Sequence, residues 1–252
     1  MTRLTLGLSF ILLVSFSTPA AAQLHRSLCA DCHYVNGGKP NPTHLRDWDN
    51  SAHDRANVGC EACHSGNPNT VEPFLAHQSI VRGLGPDSPL DHTNLPRTCG
   101  LCHAGPYVAF QKSQHYLLLR NGNRDAPGCS TCHGSVAAYL PSPKGLESEC
   151  KSCHGVGKKF ERPEYAANAR ILLQGVRDAR ELLDHAKPVI KRVKDGQLRT
   201  SLQYDYDQAE VPLIEAVHAA HAFVFVNSEE RPLARRRANA LLERLANMRS
   251  TP

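Results

Sequence analysis

The cysteines of this chain all fall within one repeated pattern. Ten are present, and they form five copies of Cys-x-x-Cys-His. The copies comprise Cys29, Cys32 and His33; Cys60, Cys63 and His64; Cys99, Cys102 and His103; Cys129, Cys132 and His133; and Cys150, Cys153 and His154. Two thiols at this spacing lie on one side of a helical turn and can add to the two vinyl groups of a porphyrin, and the next imidazole can bind its iron. This is the attachment signature of c-type haem, so we predict five covalent haems with the motif histidines as proximal ligands.

Other uses of paired cysteines explain the pattern less well. A zinc site or a redox dithiol does not require a histidine directly after the second cysteine. Disulfides are possible in an exported protein, but bonds within such short loops would restrict the unfolded chain very little. We therefore interpret all five copies as haem sites.

The amino terminus indicates export. Arg3 supplies a positive charge, residues 4–16 form an apolar run, and Ala20, Ala21 and Ala22 form a small-residue cleavage site. We expect residues 1–22 to be a signal peptide cleaved near Ala22, with uncleaved anchoring as the alternative. No later segment is long enough to cross a bilayer. Because haem is attached to this motif outside the cytoplasm, we expect a periplasmic protein, with the cell surface or the extracellular space as the alternative.

The formal charge of +5 counts side chains only. Ten haem propionates would add about ten negative charges and leave the loaded, oxidised protein slightly negative. The sequence pI therefore says little about acidic partners, and nucleic-acid binding has no support in an exported protein.

Two regions differ in composition. Residues 23–157 hold all five motifs and are punctuated by proline and glycine, which favours short helices and loops, with little regular structure around the haems. Because aliphatic residues are sparse there, we expect porphyrin to supply the apolar interior. Residues 158–252 lack cysteine and repeat apolar residues at three-to-four spacing, as long amphipathic helices do. The predicted fold is mainly α: a multihaem cytochrome c core, then a helical hairpin or three helices that pack on the haem region or on a partner.

The boundaries of the later helices can be read from proline and glycine. We expect one helix from Pro163 to Asp195-Gly196, a second over residues 207–224 and a third from Pro232. Pro188 lies inside the first helix and can kink it.

The sixth ligand of each iron decides between electron transfer and substrate binding. Methionine cannot serve five irons, because only Met1 and Met248 are present and Met1 leaves with the signal peptide. Nine histidines lie outside the motifs, namely His25, His44, His53, His77, His92, His115, His185, His218 and His221. We therefore expect histidine on both sides of most or all irons.

Position ranks these histidines. Six residues lie between His53 and Cys60 and between His92 and Cys99, and Ser51-Ala52-His53 is echoed in Ser113-Gln114-His115. Those near motifs, and the pair that shares one helical face, are the candidate distal ligands. They are His53, His77, His92, His115, His218 and His221, of which one of the last two is expected to ligate. His25, His44 and His185 have weaker positional support.

At this level the chain resembles multihaem c-type cytochromes, a group that includes the tetrahaem partner of hydroxylamine oxidoreductase and, in the wider superfamily, pentahaem nitrite reductase. The resemblance rests on Ser51-Ala52-His53 with the motif at residues 58–64 and on Ser113-Gln114-His115 with the motif at residues 127–134. It implies closely stacked haem pairs, mostly bis-histidine ligated, with distal histidines upstream of the motifs. Pentahaem nitrite reductase attaches its catalytic haem through Cys-x-x-Cys-Lys, whereas all five motifs here end in histidine and the chain is far shorter.

Five redox centres in so short a region leave little volume for a substrate pocket, so we expect an electron carrier rather than an enzyme. Its expected partners are a quinol-linked or enzymatic donor and a terminal oxidoreductase. One alternative is a small oxidoreductase that acts on a nitrogen or sulfur oxyanion at one five-coordinate haem. Another is a homo-oligomer or haem filament in which distal ligands cross between subunits.

Overall fold

The computed structural model describes residues 27–37, 41–81, 85–225 and 230–249. These residues form thirteen α-helices and no strand, which confirms the prediction of a mainly α fold. The predicted signal peptide and His25 lie outside the described residues. Within the described part of the chain, no helix is both long and apolar enough to cross a bilayer.

Ten short helices carry the motif region. They are α1 (Leu28–Asn36), α2 (Pro42–Asp49), α3 (Ala52–Arg55), α4 (Glu61–His64), α5 (Pro73–Ala76), α6 (Leu95–Gly100), α7 (Ala104–Phe110), α8 (Gln114–Arg120), α9 (Cys129–His133) and α10 (Pro143–His154). Proline at the first or second helical position starts four of them (α2, α5, α6 and α10), where its missing N–H costs nothing. Few apolar side chains are buried in this region; the large ones are Leu45, Trp48, Phe110, Leu119 and Leu146. The polypeptide alone thus provides little core between the motifs.

Three long helices follow: α11 (Pro163–Arg192), α12 (Gly196–His221) and α13 (Glu230–Arg249). They pack on one another around one apolar cluster that draws on all three helices. Its larger buried members are Leu183, Ile190, Leu202, Tyr206, Leu213, Leu241 and Leu245. This bundle is an ordinary hydrophobic core of the kind that the motif region lacks.

The start of α12 differs from the sequence expectation. Asp195-Gly196 was expected to end the first long helix, and the second was expected to begin at Asp207. Instead α11 ends at Arg192, and the Asp195 side chain accepts a hydrogen bond from the backbone N–H of Leu198 at 3.0 Å. Asp195 is therefore the N-cap of α12, with Gly196 as its first residue, so this expectation was wrong.

Two helix pairs make most of the contact between the bundle and the motif region. Helix α10, which carries the fifth motif, packs against α11, and α7, just after the third motif, packs against α12. Beyond the end of α12, Phe223 joins a second apolar cluster with Phe110, Leu119 and Ala126. These contacts bring the carboxyl end of α12 among the motifs.

Candidate haem-binding sites

Each of the five motif histidines faces a second histidine ring. The pairs and their centroid separations are His33 with His77 at 5.9 Å, His64 with His44 at 6.1 Å, His103 with His53 at 5.9 Å, His133 with His221 at 6.2 Å and His154 with His115 at 6.0 Å. No second ring serves two motifs. Ten histidines therefore form five pairs of nearly equal spacing.

This spacing fits one metal ion between two imidazoles. A bond of about 2 Å from metal to imidazole nitrogen on each side, with roughly 1 Å from nitrogen to ring centre, gives a centroid separation of about 6 Å. The separation is nearly the same at all five motifs. The residues present thus fit a haem iron held by two histidines at each motif.

The sequence-predicted distal candidates divide into two groups. His53, His77, His115 and His221 each lie opposite a motif histidine. His92 and His218 do not lie opposite one among the described residues. His44, which had weaker positional support, faces His64 instead.

Capping serines position two of the histidines that face a motif histidine. Ser51 is the N-cap of α3, and its Oγ accepts hydrogen bonds from the backbone N–H groups of His53 and Asp54. Ser113 is the N-cap of α8, and its Oγ accepts from the N–H of Tyr116. In both helices the paired histidine, His53 or His115, is the second helical residue. The Ser-x-His echo in the sequence therefore corresponds to one repeated device, a capped helix start that presents a histidine.

His44 uses a related arrangement that the Ser-x-His search missed. The Asn41 side chain accepts a hydrogen bond from the N–H of Thr43 and caps α2, on which Leu45 and Trp48 are buried. Helix α2 is thereby anchored with His44 directed towards His64. The local signal was an Asn-Pro helix start followed by a histidine in the first turn.

His92 contacts the segment before the fourth motif rather than a motif histidine. Its Nε2 lies 2.8 Å from the carbonyl oxygen of Ala126, and its ring lies against Gly128, just before the fourth motif. The adjacent Asp91 is buried and binds Arg124 through both carboxylate oxygens at 2.8 Å. Together these contacts tie the segment before the third motif to the segment before the fourth.

His218 packs on the third motif's flank. A Cβ atom at Gly105 would lie 2.8 Å from Nε2 of His218, so α12 and the start of α7 approach closely at this point. His221, one helical turn further on, reaches His133. His218 and His221, which were predicted to share one helical face, therefore make different contacts. His221 faces a motif histidine, and His218 packs against α7.

Four of the paired rings have their Nδ1 atom fixed by a backbone carbonyl oxygen. The contacts are His53 to Val136 at 2.9 Å, His133 to Tyr139 at 3.3 Å, His154 to Phe160 at 2.7 Å and His221 to Val217 at 2.8 Å. An N–H at Nδ1 that donates to a carbonyl leaves Nε2 as a lone-pair ligand, and such partners orient metal-binding histidines. The protein therefore favours the tautomer that an iron ligand needs.

The protein also keeps several paired rings neutral. Burial lowers the pKa of His44, His133 and His221. A nearby histidine ring lowers each further: His64 for His44, His103 for His133, and His133 for His221. Burial, together with nearby His154, lowers the pKa of His115 to about 4. Only a neutral imidazole has a lone pair for iron, so these environments favour ligation at neutral pH.

Consecutive motifs are neighbours in space. Burial raises the pKa of Cys60, and nearby Cys29 adds to the effect. Burial likewise raises the pKa of Cys63, with Cys99 and Cys102 nearby, and that of Cys150, with Cys132 nearby. Contact with Cys99 raises the pKa of Cys129, and α6 and α9, which carry these two residues, touch. The five sites therefore form a series in motif order.

The ten motif cysteines form no disulfide with one another. No group of three or more histidine, cysteine or carboxylate side chains in the described ranges is arranged to hold a metal ion by itself. Histidine pairs across a gap of about 6 Å are the recurring arrangement.

A cleft of about 110 Å³ lies beside the third motif. Arg97 and Arg120 line it together with the hydroxyl-bearing rings of Tyr107 and Tyr116. The two tyrosine oxygens are 3.4 Å apart. Within the described part of the chain neither arginine pairs with a carboxylate. The cleft can therefore accept carboxylate groups such as haem propionates.

Residues 14–65 match the protein family described as cytochrome c554 and c-prime. The matched segment contains the first two motifs and both His44 and His53. Comparison with curated proteins and with solved structures found no significant match. The family match supports a c-type cytochrome with covalently bound haem that acts in electron transfer.

Proposed function

We propose that this protein is a five-haem electron carrier in which every iron is held between two histidines of the same chain. The observation that carries the proposal is the set of five histidine pairs at 5.9–6.2 Å, each formed by one motif histidine and a different second histidine. The match to a cytochrome family over residues 14–65 supports the same class of protein.

The residues of each site have separate roles. The two motif cysteines hold the porphyrin covalently, the motif histidine is the proximal ligand, and the paired histidine is the distal ligand. When bound, each haem iron accepts and releases one electron by changing between its ferric and ferrous forms. The carbonyl partners at Nδ1 of His53, His133, His154 and His221 fix ring orientation, which keeps reorganisation small.

The series of neighbouring motifs supports conduction along the chain. Each motif lies beside the next, so the five sites follow one another in sequence order. The helical bundle stabilises this series, because α12 supplies His221 to the fourth site and α11 packs on the helix of the fifth motif. The proposed haem region at residues 23–157 is thus complete only with a ligand from the helical region at residues 158–252.

The two alternative functions receive less support from this geometry. An oxyanion-reducing enzyme needs an iron with an open position, whereas each of the five motif histidines here has a second histidine opposite it. A filament that shares ligands between subunits is favoured when one chain has fewer than five histidines opposite its motif histidines. Here each of the five motif histidines has one within the same chain. A carrier with all its ligands in one chain requires neither an open iron position nor a ligand from another subunit.

We further propose a periplasmic location after removal of residues 1–22, with the cell surface as the alternative site. The partners would be redox proteins: a quinol-linked or enzymatic donor and a terminal oxidoreductase as acceptor. The support is the sequence of residues 1–22 together with the requirement that c-type haem be attached outside the cytoplasm.

The test is to export the full chain in a cell that assembles c-type haem, then to measure its intact mass and its ferric and ferrous spectra. We expect the mass of the mature polypeptide plus five haems and a wholly low-spin spectrum that carbon monoxide and cyanide leave unchanged. Fewer than five haems, or a high-spin component that binds these ligands, would contradict the proposal. Replacement of Cys63 by alanine is the reference variant, because it should weaken or remove attachment of one haem alone.

A further inference from the structure

The ring of His115 differs from four of the other paired rings in what surrounds its Nδ1 atom. Nδ1 of His53, His133, His154 and His221 lies 2.7–3.3 Å from a backbone carbonyl oxygen. Nδ1 of His115 is fully buried and has no hydrogen-bond partner among the described residues. No other ring of the five pairs has a buried nitrogen in this condition within the described part of the chain.

An aromatic side chain packs directly against the ring of His115. The ring of Phe223 meets that of His115 edge to face, with centroids 4.2 Å apart and an interplanar angle of 77°. Phe223 in turn contacts Phe110 and Phe225. An aromatic face is at best a weak acceptor for an N–H group. The backbone of Phe223 has φ 59°, a left-handed conformation that bulky residues rarely adopt.

A missing hydrogen-bond acceptor changes how well an imidazole ligand stabilises the oxidised metal. An imidazole that donates its N–H to a carbonyl gains basicity and stabilises the more highly charged, oxidised metal. A ring with no acceptor gives less of this stabilisation. Apolar surroundings act in the same direction, because they disfavour the oxidised state, which carries one more positive charge. Both features of the His115 site therefore favour the reduced iron.

We propose that His115 and His154 hold the iron of highest reduction potential in this protein, and that the absence of an acceptor at Nδ1 of His115 sets this rank. The inference rests on the proposed function. In each exchange one electron leaves a neighbouring ferrous iron, which becomes ferric, and the ferric iron at this site becomes ferrous; no proton or other atom moves. Because the fifth motif is the last of the series, electrons that enter at earlier sites collect at this end.

The test supplies the missing acceptor. Asparagine tolerates the left-handed backbone at position 223 and offers a side-chain carbonyl oxygen, so Phe223→Asn can accept from Nδ1–H of His115. In a spectroelectrochemical titration of the loaded full chain, we expect the component of highest potential to shift to a more negative value while the other four stay in place. The variant His115→Met assigns that component, because a methionine ligand should shift it to a more positive value.

Two matched variants separate the acceptor from other effects. Phe223→Leu removes the aromatic ring without adding an acceptor and should not lower the highest potential. Phe225→Asn places the same amide two residues away, beside Phe223 rather than His115, and should leave all five components unchanged.

The outcomes separate this inference from the proposed function. If mass or spectra show fewer than five low-spin haems in the wild-type protein, the proposed function itself fails. With five low-spin haems present, the inference alone is overturned if His115→Met alters a component other than the highest. It is also overturned if Phe223→Asn moves no component, or moves it no more than Phe223→Leu does.

Discussion

The ring of His221 lies almost parallel to that of His133, with 10° between the two planes and 6.2 Å between the centroids. The two residues come from different regions of the chain, the end of a long helix and the fourth Cys-x-x-Cys-His motif. Burial lowers the pKa of both. The pairing makes the helical bundle part of one of the proposed haem sites.

This relationship predicts different results for two histidines on one helical face. We expect His221→Ala to convert one of five irons from low spin to high spin while all five haems stay attached, because the motif at Cys129 is untouched. Electron paramagnetic resonance and intact mass would measure the two properties. His218→Ala is the matched control and should leave every iron low spin, because His218 packs against Gly105 and faces no motif ring. A high-spin signal in His218→Ala with none in His221→Ala would reverse the assignment.

A second pair of variants tests His44, one of the three histidines with weaker positional support as ligands. We expect His44→Ala to produce one high-spin iron, because its ring faces His64 at 6.1 Å. We expect His92→Ala to keep all irons low spin but to reduce thermal stability, because Nε2 of His92 contacts the carbonyl oxygen of Ala126. Ligand-binding difference spectra with carbon monoxide would show the contrast. Carbon monoxide binding by His92→Ala but not by His44→Ala would disprove the geometric assignment.

His53 and His92 show what the spacing of residues in the sequence cannot predict. His92 and His53 are each separated from the next motif by six residues, yet only His53 lies opposite a motif ring. The offset is a local property, whereas the ring that a histidine meets depends on which segments approach each other in three dimensions. The Asp91–Arg124 ion pair holds the segment of His92 against the fourth motif, and no spacing rule contains that contact.

The sequence predicted the fold more accurately where the structure depends on interactions between residues that are close in the chain. Apolar periodicity predicted the long helices, and Pro163 was correctly read as a helix start. The Asp195-Gly196 boundary was misread because glycine is typical just after a helix and aspartate is typical just before one, so the pair fits either kind of helix boundary. Ser113 was noticed through its echo of Ser51, and its role as an N-cap became clear only with the backbone of α8 in place.

That cap gives a prediction about stability. We expect Ser113→Ala to lower the free energy of unfolding by about 1 kcal/mol, because the N–H of Tyr116 loses the acceptor that starts α8. Chemical denaturation of the loaded protein would measure the difference. Ser113→Thr keeps the hydroxyl and should recover most of the stability. Ser148→Ala, at an exposed position inside α10, should change the stability little, and a loss there as large as at Ser113 would remove the cap explanation.

The buried carboxylate of Asp91 gives a prediction about pH. Hydrogen bonds from Arg124 and then from the backbone and side chain of Thr93 lower the pKa of Asp91 from 3.8 to about 2. Since the folded pKa lies below the unfolded one, the ionised carboxylate stabilises the folded protein fully above about pH 4, and this contribution is lost as the pH falls towards 2. We expect Asp91→Asn to unfold at lower denaturant than the wild type at pH 7, and the difference to shrink steadily below pH 4. Asp125→Asn, an exposed neighbour, is the control and should show a small difference at every pH. A gap between Asp91→Asn and the wild type that stayed constant from pH 7 to pH 2 would show that the carboxylate charge is not what stabilises this contact.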